Sequence, residues 1–151
     1  MALDHKFILV SAAAHRPADY LSFIGAPNAI RLHDDLLDYM GDSLKWIPTL
    51  NAETNKRGYG FNLCGATAVL SEGAPAAIRI FRTWAQLFSL SPSDLNLTGS
   101  WTDVVGDPRA GHYSELRFTR RDVTSALEHL AADCARVAEP GSDYFLLHLG
   151  I

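Results

Sequence analysis

The sequence has no excess of positive charge, because thirteen lysines and arginines are outnumbered by seventeen aspartates and glutamates. The formal net charge is -4 at pH 7. Without a basic footprint, nucleic acid and an anionic membrane are excluded as expected partners. A mildly acidic surface suits a basic protein partner instead.

Long apolar runs are also missing. No stretch approaches the roughly 18 apolar residues that a membrane-spanning helix needs. Near the N-terminus, the run Phe-Ile-Leu-Val is only four residues long and follows Asp4, so it indicates a first β-strand rather than a signal peptide. We therefore expect a cytoplasmic protein.

Cysteine is scarce, with only Cys64 and Cys134 in 151 residues. Neither belongs to a CxxC or Cys–His pattern, so the sequence predicts no cysteine metal site. Both cysteines have apolar neighbours, and the pattern favours two buried free thiols in a reducing compartment.

What the sequence does contain is ordinary globular composition, with 48% hydrophobic and 20% charged residues. The length is typical of one domain, so we expect a single domain over residues 1–151. Strands are predicted over 6–12, 61–71, 94–101, 112–119 and 142–151, and helices over 33–46, 71–92 and 119–141, with a further short helix within 16–27. The polar segment 49–60 and the ten residues between 101 and 112 are predicted loops.

This order of elements predicts an α+β fold. A mixed or antiparallel sheet of about five to six strands would be covered by about three helices. The last strand is almost entirely apolar, so it is expected inside the sheet. The helix over 119–141 carries an apolar stripe that should pack on the sheet, formed by Val123, Leu127, Leu130, Cys134 and Val137.

Four aspartates fall within nine positions of the segment 31–46, RLHDDLLDYMGDSLKW. On one helix, Asp34, Asp38 and Asp42 recur at i, i+4 and i+8 and share a face, with Asp35 beside them. The helix dipole stabilises carboxylates only in the first turn, so Asp38 and Asp42 gain nothing from it. Two interpretations remain open: a solvated helix face, or an acidic surface that meets a basic protein partner.

For a docking surface, Tyr39 and Trp46 would supply the aromatic anchors. A second candidate for partner binding is the predicted loop after Trp101, which contains Asp103 and Asp107. Loops of this length often carry function.

Metal and cofactor sites have little support. The pattern Asp34-Asp35-x-x-Asp38 resembles the acidic motif of isoprenoid synthases, and His33-Asp34 resembles the paired His-Asp of metal phosphohydrolases. Both families need a helical setting with further ligands, and the predicted strands argue against it. We expect no metal ion, no cofactor and no catalytic residue.

Two alternative functions stay open. His148 in the last strand is predicted to be a core histidine that finds a hydrogen bond. It could instead serve a small hydrolase or transferase with a dispersed site that also uses His112 and Asp103. A homodimeric structural subunit is the other alternative, in which the polar face of strand 112–119 meets its own copy.

In its size, predicted α+β domain, mild acidity and lack of signal peptide or catalytic set, the chain resembles the small cytoplasmic immunity proteins that bacteria pair with polymorphic or secreted toxins. The resemblance implies a protein that occludes the active site of a cognate toxin. It transfers no residue role to this chain. The partner-binding candidates come from the sequence itself: Asp34, Asp35, Asp38, Asp42, Tyr39, Trp46, Trp101, Asp103 and Asp107.

Overall fold

The computed structural model describes residues 3–150, apart from the side chain at position 108, and shows an α+β fold. The strands are β1 (Asp4–Ser11), β2 (Ile30–His33), β3 (Pro48–Asn51), β4 (Arg57–Tyr59), β5 (Ala66–Val69), β6 (Asp94–Val104), β7 (Asp107–Thr119) and β8 (Tyr144–Leu149). The helices are α1 (Asp34–Tyr39), α2 (Gly41–Leu44), α3 (Ala74–Ser89), α4 (Arg120–Ala138) and a 3-10 helix over Pro17–Phe23.

Six strands form one antiparallel sheet in the order β2-β1-β8-β5-β3-β4, and β6 and β7 form a separate two-stranded sheet. The apolar strand β8 lies inside the large sheet, as predicted. It pairs with β1 on one side and β5 on the other, so that His148 lies between Phe7 and Thr67. An antiparallel sheet with both faces covered explains why β8 is apolar at nearly every position.

Helices α3 and α4 cover one face of the large sheet. The predicted α4 stripe is confirmed, because Val123, Leu127, Leu130, Cys134 and Val137 are all buried in the core under these helices. The opposite face is covered by partly buried side chains from the 3-10 helix and the segment after it. Within residues 3–150, no helix is both long and apolar enough to span a membrane.

The predicted loop over 49–60 is wrong, because β3 and β4 pair there as a hairpin and β3 joins the large sheet. Strand β4 is only Arg57-Gly58-Tyr59, and all three residues are exposed. Such a short strand has no apolar alternation to recognise. The strand predicted over 61–71 is shorter in the structure and spans Ala66–Val69. Residues 61–65 form a turn-rich segment before it.

The predicted ten-residue loop between 101 and 112 is also wrong. Strands β6 and β7 continue through it until Val104 pairs with Asp107, leaving a two-residue turn at Val105-Gly106. Gly106 has φ of 96°, which side-chain-bearing residues rarely adopt. We call residues 98–115 of this hairpin the arm. The polar residues and glycines on both sides of its turn concealed the strands, because both faces of the hairpin are exposed there.

Candidate functional site

The acidic segment 33–46 does not form the single helix that its spacing predicts. Helix α1 ends at Tyr39, and α2 begins at Gly41 after Met40, whose backbone has φ of -86° and ψ of -3°. A glycine in a helix interior costs about 1 kcal/mol relative to alanine, and the break falls beside it. Of the three aspartates expected on one face, only Asp38 and Asp42 stay together, where both line one surface hollow.

Asp34 turns towards the protein interior. Its Oδ1 accepts a hydrogen bond from Nε2 of His5 at 2.9 Å, and the Asp34 side chain is 33% exposed. This internal contact accounts for one of the four aspartates. Asp34 is consequently not part of the surface described next.

The other three aspartates remain at the surface. Asp35 lies next to His33, whose Nδ1 accepts its backbone N–H at 3.2 Å and caps α1. Asp42 accepts a hydrogen bond from Lys45 Nζ at 3.1 Å, but both side chains are largely exposed, and such pairs contribute little. Among residues 3–150, no lysine, arginine or histidine nitrogen lies within 4 Å of the Asp38 carboxylate.

A surface hollow of about 590 Å³ lies beside α1 and α2. We call it the acidic groove and define it by Asp38, Tyr39, Asp42, Trp46, Phe61 and Trp84. Its aromatic wall is continuous with the core. The ring centroids of Tyr39 and Trp84 are 6.0 Å apart, and those of Trp84 and Phe88 are 5.2 Å apart. The groove thus brings together four of the predicted partner-binding residues: Asp38, Tyr39, Asp42 and Trp46.

Phe61 and Trp84 were not among the predicted site residues. Trp84 belongs to the apolar stripe of the predicted helix 71–92, and this stripe alone indicates burial. In the structure Trp84 is partly buried at the edge of the core, and its Nε1–H donates to Ser43 Oγ at 2.8 Å. A tryptophan at the border of a helical stripe is the one sequence signal that could have identified it.

The base of the arm lies next to α1. A narrow cleft of about 60 Å³ is lined by Asp35, Asp38 and Tyr39 on one side and by residues 98–100 on the other. Asp38 and Tyr39 border both this cleft and the acidic groove. The groove, the exposed face of α1 and the arm therefore form one continuous surface.

The arm carries the other three predicted residues. Trp101 packs against Tyr113 across the hairpin, with ring centroids 5.1 Å apart, and its Nε1–H donates to Asp103 Oδ1 at 2.7 Å. Gly111 makes room for this arrangement, since a Cβ there would overlap the Trp101 indole. Asp107 stands at the turn, where its carboxylate accepts the backbone N–H of Arg109 at 2.9 Å.

The polar face of the hairpin base is a separate feature. Its shallow hollow of about 790 Å³ is lined mainly by polar side chains. Arg117 donates a hydrogen bond to Glu115 at 2.7 Å and thereby holds the pKa of Glu115 below its usual range. These charges are already paired with each other, so this face offers fewer unsatisfied groups than the acidic groove does.

Below the surface lies a chain of three side chains that the sequence did not reveal. His5 Nδ1 lies 2.8 Å from His148 Nε2, and His5 Nε2 bonds Asp34. Both histidine rings are fully buried, which confirms the prediction that His148 is a hydrogen-bonded core histidine. His148 Nδ1 has no hydrogen-bond partner among the described residues.

The surroundings of His148 are apolar. Its ring lies against Phe7 and Phe61 at centroid distances of 4.8 and 4.9 Å. Burial, with a smaller contribution from neighbouring His5, lowers the pKa of His148 to about 3. At neutral pH the His148 ring is therefore uncharged.

The residues of the alternative enzyme hypothesis are not brought together. His112 and Asp103 lie on the exposed outer half of the arm, whereas His148 is buried in the large sheet. Among residues 3–150, no group of three or more histidine, cysteine, aspartate or glutamate side chains is arranged to hold a metal ion.

The prediction for the two cysteines is half right. Cys134 is a buried free thiol in α4, but Cys64 is exposed. Cys64 lies between Leu63 and Gly65 in the turn-rich segment before β5, where there is no helix or strand to bury it.

We found no match between this chain and any family model, curated protein or solved structure.

Proposed function

We propose that this chain is a cytoplasmic protein-binding inhibitor, an immunity protein that occludes the active site of a basic toxin domain. The observation that carries the proposal is the arm, in which residues 101–107 are all exposed. Val105 is fully exposed at its tip, and Trp101 and Tyr113 are about half exposed. Exposed apolar clusters of this kind mark surfaces that bind other proteins.

The shape of the arm suits occlusion. A two-stranded hairpin that projects into water is only marginally stable by itself, so a partner that covers it would add to its stability. A convex element with an apolar tip fits a cleft, and enzyme active sites are clefts. Trp101 and Tyr113 would supply most of the affinity as aromatic anchors.

The charge of the surface suits a basic partner. Asp103 and Asp107 lie on the arm, and Asp35, Asp38 and Asp42 lie beside its base and the acidic groove. Carboxylates arranged around aromatic anchors speed association with a cationic cleft and disfavour acidic partners. The proposed partner is therefore a toxin domain whose active site is basic.

The exposed free thiol of Cys64 supports the proposed location. Free surface thiols persist in reducing compartments such as the bacterial cytoplasm. An immunity protein acts in this compartment, in the cell that makes the toxin.

The test is protection from a toxin in living cells. Candidate toxins are domains of large modular proteins encoded beside this gene, each expressed from an inducible promoter. We expect the wild-type chain to restore growth and Trp101→Ala to lose that protection. A control with Glu128→Gln and Glu139→Gln removes one exposed carboxylate from α4 and one directly after it, on another surface, and should protect like wild type.

Binding must also be shown with purified proteins. The wild-type chain should form a complex with the toxin domain and inhibit its activity, whereas Gly111→Ala, which displaces the Trp101 ring, should weaken both. If no neighbouring toxin domain is bound or inhibited, the proposal is wrong. A doubled mass in solution that Trp101→Ala returns to a single chain would support the homodimer alternative instead.

A further inference from the structure

We propose that the acidic groove binds a short basic segment of the partner, which places apolar side chains on both sides of Trp46 and a lysine or arginine at Asp38. This inference rests on the proposed function, because it names the part of the partner that the chain would hold beside the arm.

Trp46 is 68% exposed, although tryptophan is among the most costly side chains to leave in water. The indoles of Trp84 and Trp101 donate hydrogen bonds within the protein, but no bond from the Trp46 indole is found among residues 3–150. Trp46 therefore offers both an apolar face and a free N–H donor to a partner.

Trp46 borders two hollows. One is the acidic groove, of about 590 Å³, and the other is a second hollow of about 380 Å³. The second hollow is lined by one partly exposed stripe of α3, at Ala76, Arg79, Ile80 and Thr83. Two hollows that share one indole suit successive side chains of a peptide segment.

The lining that the two hollows share is held in place before any partner binds. Ser43 Oγ accepts the Trp84 indole N–H at 2.8 Å and donates to the carbonyl oxygen of Met40 at 2.7 Å. Both Ser43 and Trp84 line each hollow. A preformed site loses little conformational entropy on binding, which favours affinity.

The charges around the hollows differ and give the segment a direction. At the acidic groove, Lys45 is already paired with Asp42, which leaves the Asp38 carboxylate available to a cation. At the second hollow, exposed Arg79 repels a cation. A lysine or arginine therefore fits at Asp38, and an apolar side chain fits beside Arg79.

The experiment uses linear random peptides displayed on phage, selected in parallel on the wild-type chain and on Trp46→Ala. The wild type should enrich sequences in which a lysine or arginine stands close to apolar residues, and Trp46→Ala should not enrich them. One enriched peptide is then synthesised, and its affinity is measured by fluorescence anisotropy. Trp46→Ala should weaken binding more than about tenfold, as expected for an aromatic anchor.

Two charge variants test the direction of the segment. Asp38→Asn should weaken peptide binding several-fold at low salt and much less at high salt, because screening removes the attraction. Arg79→Gln should strengthen binding at low salt, because it removes the charge that repels a cationic peptide. The control Glu128→Gln, an exposed carboxylate on α4, should have no effect. Enrichment of acidic or uncharged peptides, no enrichment at all, or unchanged affinity in Trp46→Ala would each overturn the inference.

A variant in the arm distinguishes failure of the groove from failure of the proposed function. Trp101→Ala should leave peptide binding intact, because Trp101 does not line either hollow. If the peptides bind as expected but no toxin is neutralised, the proposed function fails alone. If a toxin is neutralised equally well by Trp46→Ala, the inference about the groove fails alone.

Discussion

Acid should destabilise this protein through His148. The His148 Nε2 and His5 Nδ1 atoms lie 2.8 Å apart, so one proton can sit between them. His5 Nε2–H donates to Asp34, so the proton between the two rings is on His148 Nε2, and a further proton on His148 must go to Nδ1, which has no hydrogen-bond partner among the described residues. Because both rings are buried among apolar side chains, water cannot solvate the charge that this proton brings.

The magnitude follows from the pKa of His148, which is about 3 in the folded protein against 6.5 in the unfolded chain. Between these values the unfolded chain binds a proton that the folded protein does not, so the free energy of unfolding falls as the pH falls. The contribution is complete above pH 6.5, and the slope reaches about 1.4 kcal/mol per pH unit. Between pH 6.5 and about 4 the loss amounts to about 3 kcal/mol, a large part of a typical stability of about 5–15 kcal/mol.

Urea unfolding at a series of pH values between about 7 and 4 measures this loss. His148→Asn provides the comparison, because its amide can donate to His5 Nδ1 but does not titrate. We expect the variant to be less stable at neutral pH and to lose about one proton's worth of pH dependence, about 1.4 kcal/mol per unit. Equal slopes for wild type and His148→Asn would refute the reasoning.

Three further predictions concern the core, the acidic surface and the thiols. Leu130→Ala should lower the free energy of unfolding by about 2–5 kcal/mol, because Leu130 is fully buried; a loss below about 1 kcal/mol in urea unfolding would contradict its place in the core. The double variant Asp38→Asn, Asp42→Asn should change the free energy of unfolding by less than about 0.5 kcal/mol, because both residues are exposed. It should nevertheless associate with the toxin more slowly than wild type in stopped-flow measurements at low salt. Equal association rates would reduce these aspartates to a solvated surface. Burial raises the pKa of Cys134 to about 12, so a thiol reagent at about pH 8 should modify only Cys64 in the folded protein. In urea the reagent should modify both cysteines, and mass spectrometry counts the modified thiols. Modification of Cys134 without denaturant would show that α4 opens.

The elements that the sequence predicted well are those with long, regular patterns. Helix α4 has an apolar stripe over four turns, and β8 is a continuous apolar run, so local spacing was sufficient to place both. The segments predicted poorly are polar hairpins. β3 with β4, and the outer half of the arm, are held by backbone pairing across a turn, which leaves little trace in side-chain pattern.

The candidate surface was predicted in part. Spacing drew attention to Asp38, Asp42, Tyr39 and Trp46, and the structure places all four around the acidic groove. Spacing could not show that Asp34 turns inward, because its partner His5 lies 29 positions earlier, in strand β1. Contacts between distant strands depend on sheet order, which a single sequence does not contain.

The central position of β8 has a consequence for how the chain folds during synthesis. Its pairing with β1 brings together residues as far apart as His5 and His148, which are 143 positions apart, and contacts between such distant residues slow folding. Until residues 144–149 leave the ribosome, β1 with β2 and β5 with β3 and β4 are two half-sheets, each with an open edge where β8 belongs. Open edges invite pairing with other chains, so nascent copies are exposed to aggregation until β8 has been synthesised. The arrival of β8 joins the two halves and closes both edges in one step.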